Sequence, residues 1–207
     1  MKIYDISWPI SPTTTEYKNK KTISFESLKN FDTDSVRDSK ICLGAHTGTH
    51  VDAPSHFLKD GKTIDAITLD RLIGRAQVLD LTNVVDRISA SDLQKFELHP
   101  GEIILLKTAN SSILLTNPFH SDFVYLDASG AEFLRDKKVR AVGIDYLGIE
   151  RNDPTHKTHI TLMHADIAII EGLRLNHVQP GAYFCICLPL HIVGLEAAPA
   201  RAILMSD

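Results

Sequence analysis

Between residues 44 and 58 the chain reads GAHTGTHVDAPSHFL, which sets His46, His50, Asp52 and His56 within eleven positions. Imidazole nitrogen and carboxylate oxygen are the donors that hold borderline-hard divalent cations such as Zn²⁺, Mn²⁺ or Fe²⁺. Two histidines and one carboxylate leave a coordination position for water. Water held in this way has its pKa lowered toward about 7, so hydroxide forms at neutral pH. His56 then has a task as general acid/base, taking a proton from the water and passing it to a leaving group. A single loop histidine is more often a capping or turn residue. Four such residues in a turn-forming context read instead as a hydrolytic metal site.

Sharing one ion requires each ligand atom to lie about 2.0–2.2 Å from it, and that constrains the backbone. His46 and His50 are four apart, a helical spacing, yet Gly44, Gly48, Pro54 and the β-branched Thr47, Thr49 and Val51 oppose a helix. In a straight strand the pair would lie roughly 13 Å apart, too far for one ion. The remaining solution is a turn at Thr47-Gly48 that folds His46 back toward His50, with Gly48 supplying the unusual φ/ψ. His50 and Asp52 then share one face of a short extended segment ended by Pro54.

Strands and helices must position this segment. Apolar β-favouring runs are predicted at 2–7, 76–81, 102–108, 123–127, 139–145, 166–172 and 182–190. Helices are predicted at 88–96, with Ser89 or Ser91 as cap, at 128–138, and at 154–165, with Asp153 as N-cap and Pro154 first in the helix. Residues 13–40 are polar and read as a long loop or weak hairpin, with 25–28 as a short strand. Alternating strands and helices argue for an α/β domain, and the surplus of strands for a mixed or barrel-like sheet.

The 207 residues carry a formal charge of -4, and no basic run exceeds Lys20-Lys21. Nucleic acid and anionic membrane are therefore poor partners, and no apolar run approaches the roughly 18 residues of a membrane span. The first residues lack the apolar stretch of a signal peptide. Three cysteines do not make a disulfide framework. Cys185 and Cys187 share one face of a strand as small buried hydrophobes. A cytoplasmic setting is expected.

The stretch His46-x-Gly48-Thr49-His50-x-Asp52-x-Pro54-x-His56-Phe57 resembles the signature of the cyclase-type metal-dependent hydrolases without a mismatch. That family includes bacterial kynurenine formamidase and isatin hydrolase. The resemblance extends to Asp5-Ile6-Ser7, Gly143-Ile144-Asp145, Pro189-Leu190 and Pro199-Ala200-Arg201-Ala202. It implies an α/β fold with a mixed, barrel-like β-sheet core and flanking helices, a swivelling β/β/α arrangement over residues 1–207 as a single domain. It also implies homodimers or homotetramers.

The resemblance further implies a second ligand pair, a histidine followed twelve positions later by a glutamate, and His159 and Glu171 have that separation. His46, His50 and Asp52 would hold one divalent ion, Zn²⁺ or Mn²⁺. Asp52 would bridge to a second held by His159 and Glu171, with His56 as the catalytic acid/base. His156 and His164 flank this region and compete as ligands; His156 shares the helix face of His159 and is expected to back the ligands or line the pocket, while His99, His120, His177 and His191 are expected to be peripheral. Two positions depart from the kynurenine formamidase pattern. Tyr17-Lys18-Asn19-Lys20 stands where an aromatic-Pro-Gly-Asp stretch is usual, and Gly172 follows Glu171 where asparagine is usual.

The expected reaction is hydrolysis of a C–N bond in a small amide, with an aryl formamide first and isatin-like cyclic amides or lactones as the close alternative. Tyr17, Phe25, Phe31 and Arg37, in the polar segment, are the candidate substrate contacts. A protein that only binds a metal or small molecule on the same scaffold is the alternative of another class. It would have no need of His56.

Overall fold

The structure is a computed structural model that describes residues 1–206. The strands are β1 (Lys2–Asp5), β2 (Ser24–Lys29), β3 (Asp38–Cys42), β4 (His50–Asp52), β5 (Ile73–Asp80), β6 (Arg87–Ile88), β7 (Ile103–Lys107), β8 (Tyr125–Leu126), β9 (Ala141–Ile144), β10 (Ala168–Glu171), β11 (Gly181–Pro189) and β12 (Ala197–Ser206). The α-helices are α1 (Phe31–Asp34), α2 (Ala90–Leu93), α3 (Ala128–Asp136) and α4 (Lys157–His164).

One mixed sheet dominates. Its order is β1-β12-β11-β5-β7-β9-β10-β4, and β4 pairs again with β12, so seven strands close into a barrel with β1 as an outer neighbour of β12. The run β5-β7-β9-β10 is parallel, while β4, β11 and β12 join antiparallel. The expected mixed, barrel-like α/β architecture is therefore present.

Side-chain alternation along each strand separates two cores. On β7, Ile103 and Leu105 join the cluster that also holds Val51, Ile170, Ala198 and Leu204. Ile104 and Leu106 join the cluster formed with Leu134 of α3 and Leu162 and Met163 of α4. The first is the barrel interior and the second the helix-covered outer face. Cys185 and Cys187, both free thiols, lie in the interior, as their two-residue spacing requires.

Several elements differ from the sequence expectation. The longest strand, β12, was not anticipated as one, because Pro199 and Arg201 interrupt its apolar pattern. Pairing to β11 on one side and to β4 and β1 on the other overrides that local signal. Helix α4 begins at Lys157 instead of Pro154. His156 adopts a left-handed conformation (φ 50°) at the cap, and Asp153 closes a turn by accepting from the N–H and O–H of Thr155. The helix predicted over 88–96 shortens to α2, where Ser89 and Asp92 form a reciprocal capping box. The polar segment does contain a hairpin, formed by β2 and β3 with α1 at its tip.

The closure strand decides where the chemistry goes. Val51 of β4 enters the interior cluster, so His50 and Asp52 on either side of it face outward. Glu171 pairs directly with His50 across the β10–β4 ladder. At the end of β10, Gly172 has φ +69°, and a Cβ there would lie 2.2 Å from the carbonyl oxygen of Gly48. Gly172→Ala combines a left-handed alanine with a backbone clash. It is expected to lower stability by about 2 kcal/mol or more in urea denaturation.

Candidate metal centre

The turn before β4 is built as its residue types require. Gly48 has φ +60°. Thr49 accepts from the N–H of Trp8 through Oγ1 (2.7 Å) and donates to the carbonyl of Gly172 (2.6 Å), which pins the turn to the first strand's exit and to the end of β10. The His46 ring is thereby folded back to 5.0 Å from the His50 ring.

Asp52 lies at the centre. Its Oδ1 is 2.9 Å from His46 Nδ1 and 3.5 Å from His50 Nε2, and its Oδ2 is 3.8 Å from His159 Nε2. Glu171 lies opposite, 3.3 Å from His50 Nε2 and 3.5 Å from His159 Nε2. Two ligands about 2.1 Å from one tetrahedral ion are themselves about 3.4 Å apart, which is the spacing of these atoms. His50 Nδ1 is 2.9 Å from the Gly48 carbonyl and donates its proton there. In the neutral ring, Nε2 therefore carries the lone pair that a cation would take. Buried His50 Nε2 and Asp52 Oδ1 have no hydrogen-bond partner. Donor chemistry, spacing and these two unsatisfied atoms fit a divalent cation.

The electrostatics also call for positive charge. Burial opposes protonation of His50, but the Glu171 carboxylate 3.3 Å away, with the charge of Asp52, outweighs it and pushes the imidazole up to about 9. His159 goes to about 10 against the same burial, drawn by Glu150, Glu171 and Asp52. Glu171 is held well below its ordinary range, since His159 and His50 outweigh its desolvation. A bound cation would take over the role of those protons.

His56 differs. It sits on the 3-10 turn Pro54–His56, its ring 4.3 Å from that of His46 and 6.2 Å from that of His159. Burial lowers its pKa, and the neighbouring His46 and His159 add to the effect against the pull of Asp52 and Glu171. Facing donor atoms of His46, Asp52 and His56 lie within 4.8 Å of one another, as do those of His50, Asp52 and Glu171.

All six expected site residues thus converge at one place on the outer barrel face, beneath α4. They line or underlie a cavity of about 530 Å³ that Tyr17 also borders. Phe25, Phe31 and Arg37 are not brought to it. They lie exposed on the β2–β3 hairpin and its α1 tip, because that hairpin pairs only with itself and the chain reaches the cavity earlier, at residues 17–20. His156 lines the cavity as expected.

Glu150 had no motif to mark it. It is buried, its Oε2 accepts the backbone N–H of His159 (3.1 Å) and lies 3.3 Å from His159 Nδ1, and its Oε1 is 3.0 Å from His156 Nδ1. Burial would raise its pKa, but the bonds and charge of His159, with the bond to His156, hold it low. Its only sequence signal is a carboxylate next to the apolar Leu147-Gly148-Ile149. Glu150 orients His159 from behind, so Glu150→Ala is expected to weaken divalent-metal affinity by about 10–100-fold in a chelator competition titration.

Residues 4–151 match the Cyclase family, described as putative cyclase. The kynurenine formamidase of Bacillus cytotoxicus is 33% identical over 202 residues, covering 97% of this chain and 95% of that protein. A solved structure described as a potential metal-dependent hydrolase with cyclase activity superposes with a TM-score of 0.89 at 41% identity, covering 98% of this chain and 96% of the other. An isatin hydrolase bound to the product analogue thioisatinate shares the fold, with a TM-score of 0.88 at 21% identity and coverage of 100% and 93%. With the metal-type cluster in place and these relatives spanning nearly its whole length, the chain belongs to the Cyclase family and is a metal-dependent hydrolase.

Proposed function

We propose that the protein hydrolyses the C–N bond of a small aryl formamide, with Zn²⁺ as first choice of metal and Mn²⁺ as second. The observation that carries this reading is the half-buried pair His46 and His56 beside the buried His50, Asp52 and Glu171, facing a cavity large enough for an aromatic amide. His46, His50 and Asp52 would hold one ion, and His159 and Glu171, with Asp52 between, a second. When bound, the cations would supply Lewis acidity at the carbonyl and an acidified water.

The chain's own side chains do the rest. Burial keeps the His56 imidazole neutral near pH 7, so a ring nitrogen accepts a proton from the attacking water and then delivers it to the departing amine nitrogen. The rings of Tyr17 and Phe57 line the cavity, offering apolar faces to an aryl group and displacing water from it. Glu150 and Glu171 hold the His159 ring between them.

Residues 1–207 act as one domain in this reading. A homodimer or homotetramer is supported by the exposed Phe25, Leu28, Phe31 and Ile41 on the hairpin segment, and a reducing, cytoplasmic setting by three free thiols.

His56→Ala is expected to retain its metal and to lose at least about 100-fold in kcat/KM on formanilide. Near-normal turnover would overturn the role given to His56, and isatin and a lactone in the same assay rank the alternative substrates. Elemental analysis of Glu171→Ala is expected to find less metal per chain than in the wild type. An unchanged ratio rules out the two-ion arrangement.

A further inference from the structure

The cavity rim on the Tyr17 side is basic. Lys18 and Lys20 both line it, and neither ammonium is paired with a carboxylate among the described residues. Lys18 Nζ lies 5.4 Å above the Tyr17 ring, and among the described residues the only hydrogen bond of Lys20 is from its backbone N–H to the carbonyl of Tyr17 (3.3 Å). The carboxylates on the same cavity are committed elsewhere. Asp52 and Glu171 belong to the metal cluster, Glu150 to His156 and His159, and Asp153 to the N–H and O–H of Thr155.

The lysine pair is held in place by an unusual backbone. Lys18 and Asn19 have φ of 54° and 56°, a left-handed conformation that L-residues other than asparagine avoid. Four contacts enforce it. Asn19 Oδ1 accepts the N–H of Phe119 (2.7 Å), the Tyr17 ring meets the Phe119 ring edge-on at 4.8 Å, the Glu16 carboxylate accepts the N–H of Thr22 (2.9 Å), and Lys20 closes on Tyr17. Strained backbone that its surroundings keep in place at a cavity rim is a mark of function.

We infer that the substrate amide carries a carboxylate, with no ammonium group beside it, and that Lys18 and Lys20 bind this carboxylate at the rim while the scissile carbonyl faces the metal cluster. This rests on the hydrolase reading above and adds the charge of the substrate to it. Two ammonium groups at one rim attract an anion and repel any cation next to it. The Tyr17 ring, on the same turn, is set to cover an aromatic body between the two ends.

Metal-loaded wild type and a Lys18→Ala/Lys20→Ala variant are compared on formanilide, the ortho, meta and para formamidobenzoates, and para-formamidophenylalanine. Binding of the corresponding aminobenzoates is measured by calorimetry. The wild type is expected to favour at least one formamidobenzoate over formanilide by about tenfold or more in kcat/KM. The double variant is expected to lose that ratio, chiefly through KM, and to bind the aminobenzoate about tenfold more weakly. An unchanged ratio and unchanged aminobenzoate binding in the double variant overturn the inference. Faster turnover of para-formamidophenylalanine than of every formamidobenzoate overturns the requirement for a bare carboxylate. Lysine-dependent aminobenzoate binding without hydrolysis of any formamide leaves the anion site standing and overturns the proposed reaction instead.

Discussion

Asp52, Glu150 and Glu171 bring three carboxylate side chains together where water scarcely reaches, at 1%, 4% and 6% exposure. Each would cost several kcal/mol to bury alone. Their stability therefore depends on positive charge supplied from a few ångströms away, by imidazolium protons or by a metal ion. The surrounding barrel, turn and helix can be understood as the means of holding that charge balance in a fixed geometry. The same balance separates His56 from its neighbours: desolvation outweighs the nearby charge of Asp52 at His56, while His50 and His159 are dominated by their acidic partners.

Three connections fix the geometry. The antiparallel β10–β4 ladder sets Glu171 opposite His50, the turn at Gly48 returns His46 to the same side, and Glu150 binds the first turns of α4 through the N–H of His159. Gly172 links the first two, because only a residue without a side chain lets the carbonyl of Gly48 approach so closely. The departure from the kynurenine formamidase pattern at this position thus has a packing reason. The departure at residues 17–20 lies on the cavity rim, away from the cluster in sequence.

Much of the centre was legible in one line of residues. His46, His50, Asp52 and His56 lie close in sequence, so local backbone preferences already force the turn that gathers them. His159 and Glu171 were reached through family spacing, and the structure brings them to the same point. Glu150 was not legible, since its partner His159 is nine residues away with no periodic relation to it. Phe25, Phe31 and Arg37 are the opposite case: residue types suited to binding that sit exposed on a hairpin pairing only with itself and do not line the cavity.

The sequence by itself determined which donors are present, how the segment around Gly48 must turn, and that a further histidine, His56, lies beside them. These follow from side-chain type and local φ/ψ preference, which act over a few residues. Tertiary structure alone decided that β12 closes the barrel despite Pro199, that Glu150 backs His159, and that two lysines share a rim with the cluster. Those outcomes depend on strand pairing and packing between segments distant along the chain, and no local preference encodes them.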